Sequence, residues 1–122
     1  MKNAPIAAIL ALFAVFMAFA VHGAEVGSQG YTRMVCYWAG VEGVEYSAKQ
    51  SEDAVEKMFN ELTVNPDGPC FIAGGHGFPV ELTELVSTFV DYGGTTVQII
   101  AVKMLVPGWQ FTQPIYSWYA ID

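Results

Sequence analysis

An unbroken apolar run from Ile6 to Val21 (IAAILALFAVFMAFAV) constrains this chain more than any other stretch, because it decides what is left to fold. Lys2 and the α-amino group precede it, and the small residues Gly23 and Ala24 close it after His22. That is the three-part layout of a secretory signal peptide. The run is roughly 16 residues, short of the ~20 that span a bilayer comfortably, and no basic stop-transfer cluster follows. The sequence therefore predicts a cleaved signal over residues 1–24, with cleavage after Gly23 or Ala24, and a single globular domain over 25–122. The expected location is secreted or periplasmic; an uncleaved N-terminal membrane anchor is the alternative. No cysteine lies near the cleavage region, so lipid attachment there is not expected.

The chain has five Lys and Arg against twelve Asp and Glu. Loss of Lys2 with the leader leaves four fixed cations, Arg33, Lys49, Lys57 and Lys103, against all twelve carboxylates, a formal charge of −8. Phosphate neutralisation needs clustered Lys and Arg, and these four are scattered singly. Nucleic acid is thus a poor partner, and so is an anionic membrane once the signal is gone. Another protein, basic in character, fits the acidity, which also serves solubility. The mature chain is rich in Val, Ile, Tyr, Trp and Phe, which argues against disorder.

Two cysteines, Cys36 and Cys70, lie 34 residues apart. In an oxidising space such a pair is expected to close as a disulfide. A loop of that length contributes about 3–4 kcal/mol in the chain-entropy picture. Two buried free thiols are the alternative.

Residues 31–40 (YTRMVCYWAG) are dominated by aromatic and β-branched types and read as a strand, ended by turns at Gly40 and Gly43. In SEDAVEKMFNEL the period changes: Ala54, Val55, Met58, Phe59 and Leu62 form one helical stripe, with Ser47 or Ser51 as cap. Asn65-Pro66-Asp67-Gly68-Pro69 stops that helix. Cys70 to Ala73 reads as a short apolar strand. Residues 79–92 fit two periods. As a helix they place Leu82, Leu85, Val86, Phe89 and Val90 on one face, with Pro79 at the start and Gly93 past the end, and this reading is favoured. As a strand they would end in a Tyr92-Gly93-Gly94 hairpin turn. Thr95 to Val106 is a strand, and Trp109 to Ile121 a final strand interrupted at Pro114. The expected fold class is α/β or α+β. The order is β-α-β-α-β-β, a sheet of about four strands with one or two helices packed on it. If 79–92 is a strand, the fold becomes α+β, one helix on an antiparallel sheet.

The glycine-rich stretch Gly74-Gly75-His76-Gly77-Phe78-Pro79 follows an apolar strand. His-Gly-Phe-Pro there resembles the oxyanion-loop segment of α/β-hydrolases, over about six residues. The nucleophile elbow Gly-x-Ser-x-Gly is absent, and the mature chain holds no second histidine to act as base. The glycines match neither Gly-x-Gly-x-x-Gly nor the P-loop. They read first as a turn that needs positive φ.

His76 is the one imidazole of the mature chain, so two-His and three-His zinc sites cannot form within it, and no metal or other cofactor is expected. A carboxylate pair from Glu42, Glu45, Glu81, Glu84 and Asp91 is the surviving route to hydrolysis. Acidic residues on helix faces are more often solvated. The tail aromatics Trp109, Phe111, Tyr116, Trp118 and Tyr119 suit core packing, sugar stacking or a partner. The function expected is a small exported acidic binder (inhibitor, immunity-type protector or adaptor) acting by protein–protein occlusion, with no catalytic residues. Gly75, His76, Gly77 and Phe78 are the expected contacts, and Trp109 and Trp118 the anchors. A carbohydrate binder or small carboxylate-dependent hydrolase is the runner-up; an exported structural subunit is the third reading.

Overall fold

The computed structural model describes residues 25–64, 68–73, 77–108 and 110–121. The expected signal over 1–24 lies outside the described residues, as does 65–67 of the turn that stops the predicted helix. The chain enters as two short strands, β1 (Gln29–Thr32) and β2 (Met34–Cys36), followed by helices α1 (Trp38–Ala48) and α2 (Glu52–Val64). Four strands complete it: β3 (Cys70–Ile72), β4 (Phe78–Val90), β5 (Thr96–Met104) and β6 (Ile115–Ile121). All six strands form one antiparallel sheet in the order β1-β4-β5-β6-β2-β3.

Arg33 alone separates β1 from β2, yet β1 pairs with β4 at one end of the order and β2 pairs with β6 and β3 at the other. A single bent segment therefore ties the two ends together, and the sheet curls. Two buried hydroxyls hold the bend. The Ser117 hydroxyl donates to the Met34 carbonyl at 2.6 Å and lies 3.1 Å from Thr32 Oγ1, which accepts the Met34 amide at 3.2 Å. With their partners made, these groups escape the desolvation cost of burial.

Curling gives the sheet two apolar cores, one on each face. Inside the curl lie Val35, Phe78, Val80, Leu82, Ile100, Val102, Ile115 and Tyr119. On the other face the helices bring Val41, Val44, Ala48, Val55 and Met58 against Met34, Phe89, Val97, Ile99 and Trp118. Strand alternation explains the division: Val97 and Ile99 of β5 face the helices, while Ile100 and Val102 face the curl. Cys36 and Cys70 are directly opposed on β2 and β3 and form a disulfide, with Cα atoms 4.1 Å apart. Among the described residues, no helix is long and apolar enough to cross a membrane.

The structure corrects several expectations. Residues 79–92 are not a helix; they form most of β4, and the sheet has six strands rather than about four. Residues 31–40 are not one strand, because α1 begins at Trp38 and runs through Gly40 and Gly43. The observed order is β-β-α-α-β-β-β-β, an α+β arrangement. The last strand starts at Ile115, after Pro114, and not at residue 109. The helix predicted over SEDAVEKMFNEL, the first of the expected order, by contrast forms as α2, and Ser51 caps it by accepting the Ala54 amide at 3.1 Å.

Candidate functional site

Of the residues that the sequence marks for contact, Gly75, His76 and Trp109 lie outside the described residues, together with Gly74. Gly77 immediately precedes β4 with φ +97°, and a Cβ placed on it would sit 2.6 Å from the Thr32 carbonyl oxygen. Its conformation and the β1 backbone against it both require glycine. Phe78 is buried in the core of the curl, and Trp118 in the core beneath the helices. The sheet lies between these two side chains, so the structure does not bring them together at a surface.

The carboxylates considered for hydrolysis are dispersed. Glu45 pairs with Lys49 at 2.9 Å along α1. Glu81 and Glu84 lie on β4, opposite Lys103 and Ala101 of β5, and not on a helix face. Buried Asp91 closes the β4–β5 hairpin, its Oδ1 accepting the Gly93 and Thr95 amides at 2.9 Å each. Its Oδ2 is buried without a hydrogen-bond partner among the described residues. No group of three or more His, Cys, Asp or Glu among the described residues is placed to hold a metal ion.

Three surface features remain. The first is an open cleft of about 360 Å³ lined by Gln50, Ser51, Glu52, Asp53 and Tyr92. Burial, and then the charges of Glu52, Asp91 and Glu56, push the Tyr92 phenol above the usual tyrosine range. A field of that sign attracts a cation and supplies no nucleophile–base pair. The second is an aromatic cluster beside the edge strand β3. Tyr37, Phe71 and Phe111 meet edge to face with centroids 5.3 to 6.3 Å apart, and Trp38 packs on Tyr116 at 5.0 Å. The third is the outer edge of β4 beyond Leu82, which no strand among the described residues covers. The sequence reading missed this edge because it took the segment for a helix. Tyr92-Gly93-Gly94, weighed as a hairpin turn, was the signal that points to it.

No protein-family model matches the chain, and neither a curated protein nor a solved structure matches it.

Proposed function

We propose that this protein is a small exported binder that acts by covering the surface of another protein, as an inhibitor, an immunity-type protector or an adaptor. The observation that carries the reading is a doubly cored, disulfide-stapled framework with apolar side chains standing out from an acidic surface. Tyr46 is 70% exposed, Val90 54%, Tyr31 53% and Leu85 45%. Apolar groups gathered on one element, as Leu85 and Val90 are on β4, mark a docking surface where singly scattered ones do not. The disulfide suits an oxidising compartment, in keeping with export. Residues Gly75 and His76 of the glycine loop, with Trp109, stay in this reading as contacts, and Phe78 and Trp118 act as packing beneath the surface. A basic partner complements the charge.

The test is capture by the form beginning at residue 25, immobilised and exposed to native exported fractions at low and high salt. One protein retained at stoichiometric level, and released more readily at high salt, is the expected result. Tryptophan fluorescence against a glycan panel runs beside it. A saturable sugar response with no protein retained would replace this reading with the carbohydrate binder. Concentration-dependent self-association by light scattering would replace it with the structural subunit.

A further inference from the structure

The 13 residues of β4 are unequally used on their outer side. Strand β1 pairs with Phe78 to Glu81, and its ladder ends where the Gly27 amide donates to Leu82 and the Leu82 amide to Ser28, both at 2.8 Å. There the chain leaves the edge in a turn: the Ser28 amide bonds the Glu25 carbonyl at 2.9 Å, and Gly27 takes φ +95°. From Thr83 to Val90, β4 pairs with β5 alone among the described residues. A strand edge of that kind presents backbone donors and acceptors in a row, a ready template for another strand.

Two of the usual protections are missing. Thr83 to Val90 contains no lysine and no proline, and Leu85 and Val90 stand about half exposed. Two register shifts, between Leu82 and Glu84 and between Leu85 and Ser87, twist the edge. Twisting of this sort works against pairing with a second, identically bulged edge. The charge works in the same direction, since two copies of a chain this acidic repel one another. A strand from a different protein escapes the charge repulsion and carries no matching bulge of its own, so it meets less of this opposition where it extends the line along which β1 already binds.

Carboxylates bound the open stretch at both ends. Glu81 and Glu84 stand at the β1 end. At the other end the hairpin turns at Tyr92, whose amide bonds the Ala48 carbonyl at 2.8 Å and whose phenol lies in the field of Glu52, Glu56 and Asp91. We propose that the outer edge of β4 from Thr83 to Val90 accepts an extended segment of the partner protein as an added strand, its flanking Lys or Arg side chains meeting these acidic ends. Main-chain bonds supply the affinity in such an addition, and the side chains supply the choice of partner. The inference rests on the binding role proposed above and names the surface that performs it.

The probe is a synthetic peptide of about eight alternating Val and Thr residues with Lys at both ends. Its comparator carries Glu at the ends. Each is titrated into the ¹⁵N-labelled form beginning at residue 25. The expected result is amide shifts confined to Thr83–Val90 and the adjoining hairpin, with the Lys-ended peptide at least roughly tenfold tighter than the Glu-ended one. Leu85→Lys, which sets a like charge on the edge and leaves both cores intact, should abolish binding while its remaining amide spectrum stays native. Absence of edge shifts with the Lys-ended peptide, or equal affinity for the two peptides, overturns the proposal. So does dimerisation through β4 that blocks both peptides. A native partner retained equally by the unaltered protein and by Leu85→Lys removes the edge and leaves the binding role standing. Failure of the unaltered protein to retain any partner removes that role.

Discussion

Gly40 shows at the scale of one residue how the disulfide and the first helix depend on each other. A Cβ at this position would lie 2.5 Å from Cys70 Sγ and 2.9 Å from Cys36 Cβ. Glycine lets α1 settle directly on the bridge. In an ordinary helix interior, Gly→Ala stabilises by about 0.5–1 kcal/mol. Here overpacking should reverse the sign, so that Gly40→Ala costs about 1–3 kcal/mol. The closest of these contacts is to sulfur, so the penalty should shrink, though not vanish, in the Cys36→Ala/Cys70→Ala background, where the Cβ of residue 36 remains. Urea denaturation of the four proteins measures the coupling, and an interaction energy of at least about 0.5 kcal/mol is expected. Additive costs would mean that α1 does not rest on the bridge.

At the scale of the element, β4 carries the main lesson. Its two register shifts put Thr83 and Val86 outside the pairing with β5, so strand alternation restarts twice. Val80 and Leu82 face the core of the curl, and Phe89 comes to face the helices. Apolar residues consequently fall at 82, 85, 86, 89 and 90, the i, i+3, i+4, i+7, i+8 spacing of a helix. The second bulge has a dedicated support: Gln98 Nε2 donates to the Ser87 carbonyl at 3.0 Å and to the Ile99 carbonyl at 2.9 Å. Gln98→Ala should therefore destabilise by about 1–3 kcal/mol, because the buried Ile99 carbonyl and the part-buried Ser87 carbonyl lose their donor. Amide shifts should change most at Val86 to Thr88. A perturbation spread evenly over β5 and β6 would contradict this role for Gln98. Helix α2, strands β3 and β5 and the disulfide were legible because each has one period, or one pair, and no interruption. Helix α1 was hidden by Gly40 and Gly43, which read as turn residues. Its signal was Val41, Val44 and Ala48 at helical spacing. Of the candidate site, the glycine turn at Gly77 was legible, and so was the acidity. The edge of β4 left uncovered among the described residues was not, since it exists only once strand pairing is known.

For the whole molecule, the curl makes the two cores share one sheet, so opening either face should expose the other. Two tyrosines report on the two sides. Tyr119 lies in the core of the curl, and Tyr92 packs against the helix-side core. Burial pushes the Tyr119 phenol above the usual tyrosine range. Tyr92 rises for the same reason, and then through the carboxylates of Glu52, Asp91 and Glu56. In both cases the folded protein favours the neutral phenol. The stability this contributes is complete below pH 10 and is lost as pH rises through the folded pKa values, where the unfolded chain has already released protons that the native state retains. Titration followed by phenolate absorbance should show two tyrosines ionising late, together with a fall in urea midpoint that begins only above pH 10. Glu52→Gln should draw the Tyr92 transition back toward its ordinary range and leave Tyr119 where it was, since Tyr119 is held by burial alone. If both cores open as one unit, the Tyr119 transition will coincide with loss of near-ultraviolet signal from Trp118 on the opposite face. Tyr119 ionising in a protein whose Trp118 signal is unchanged would show instead that the two faces unfold independently.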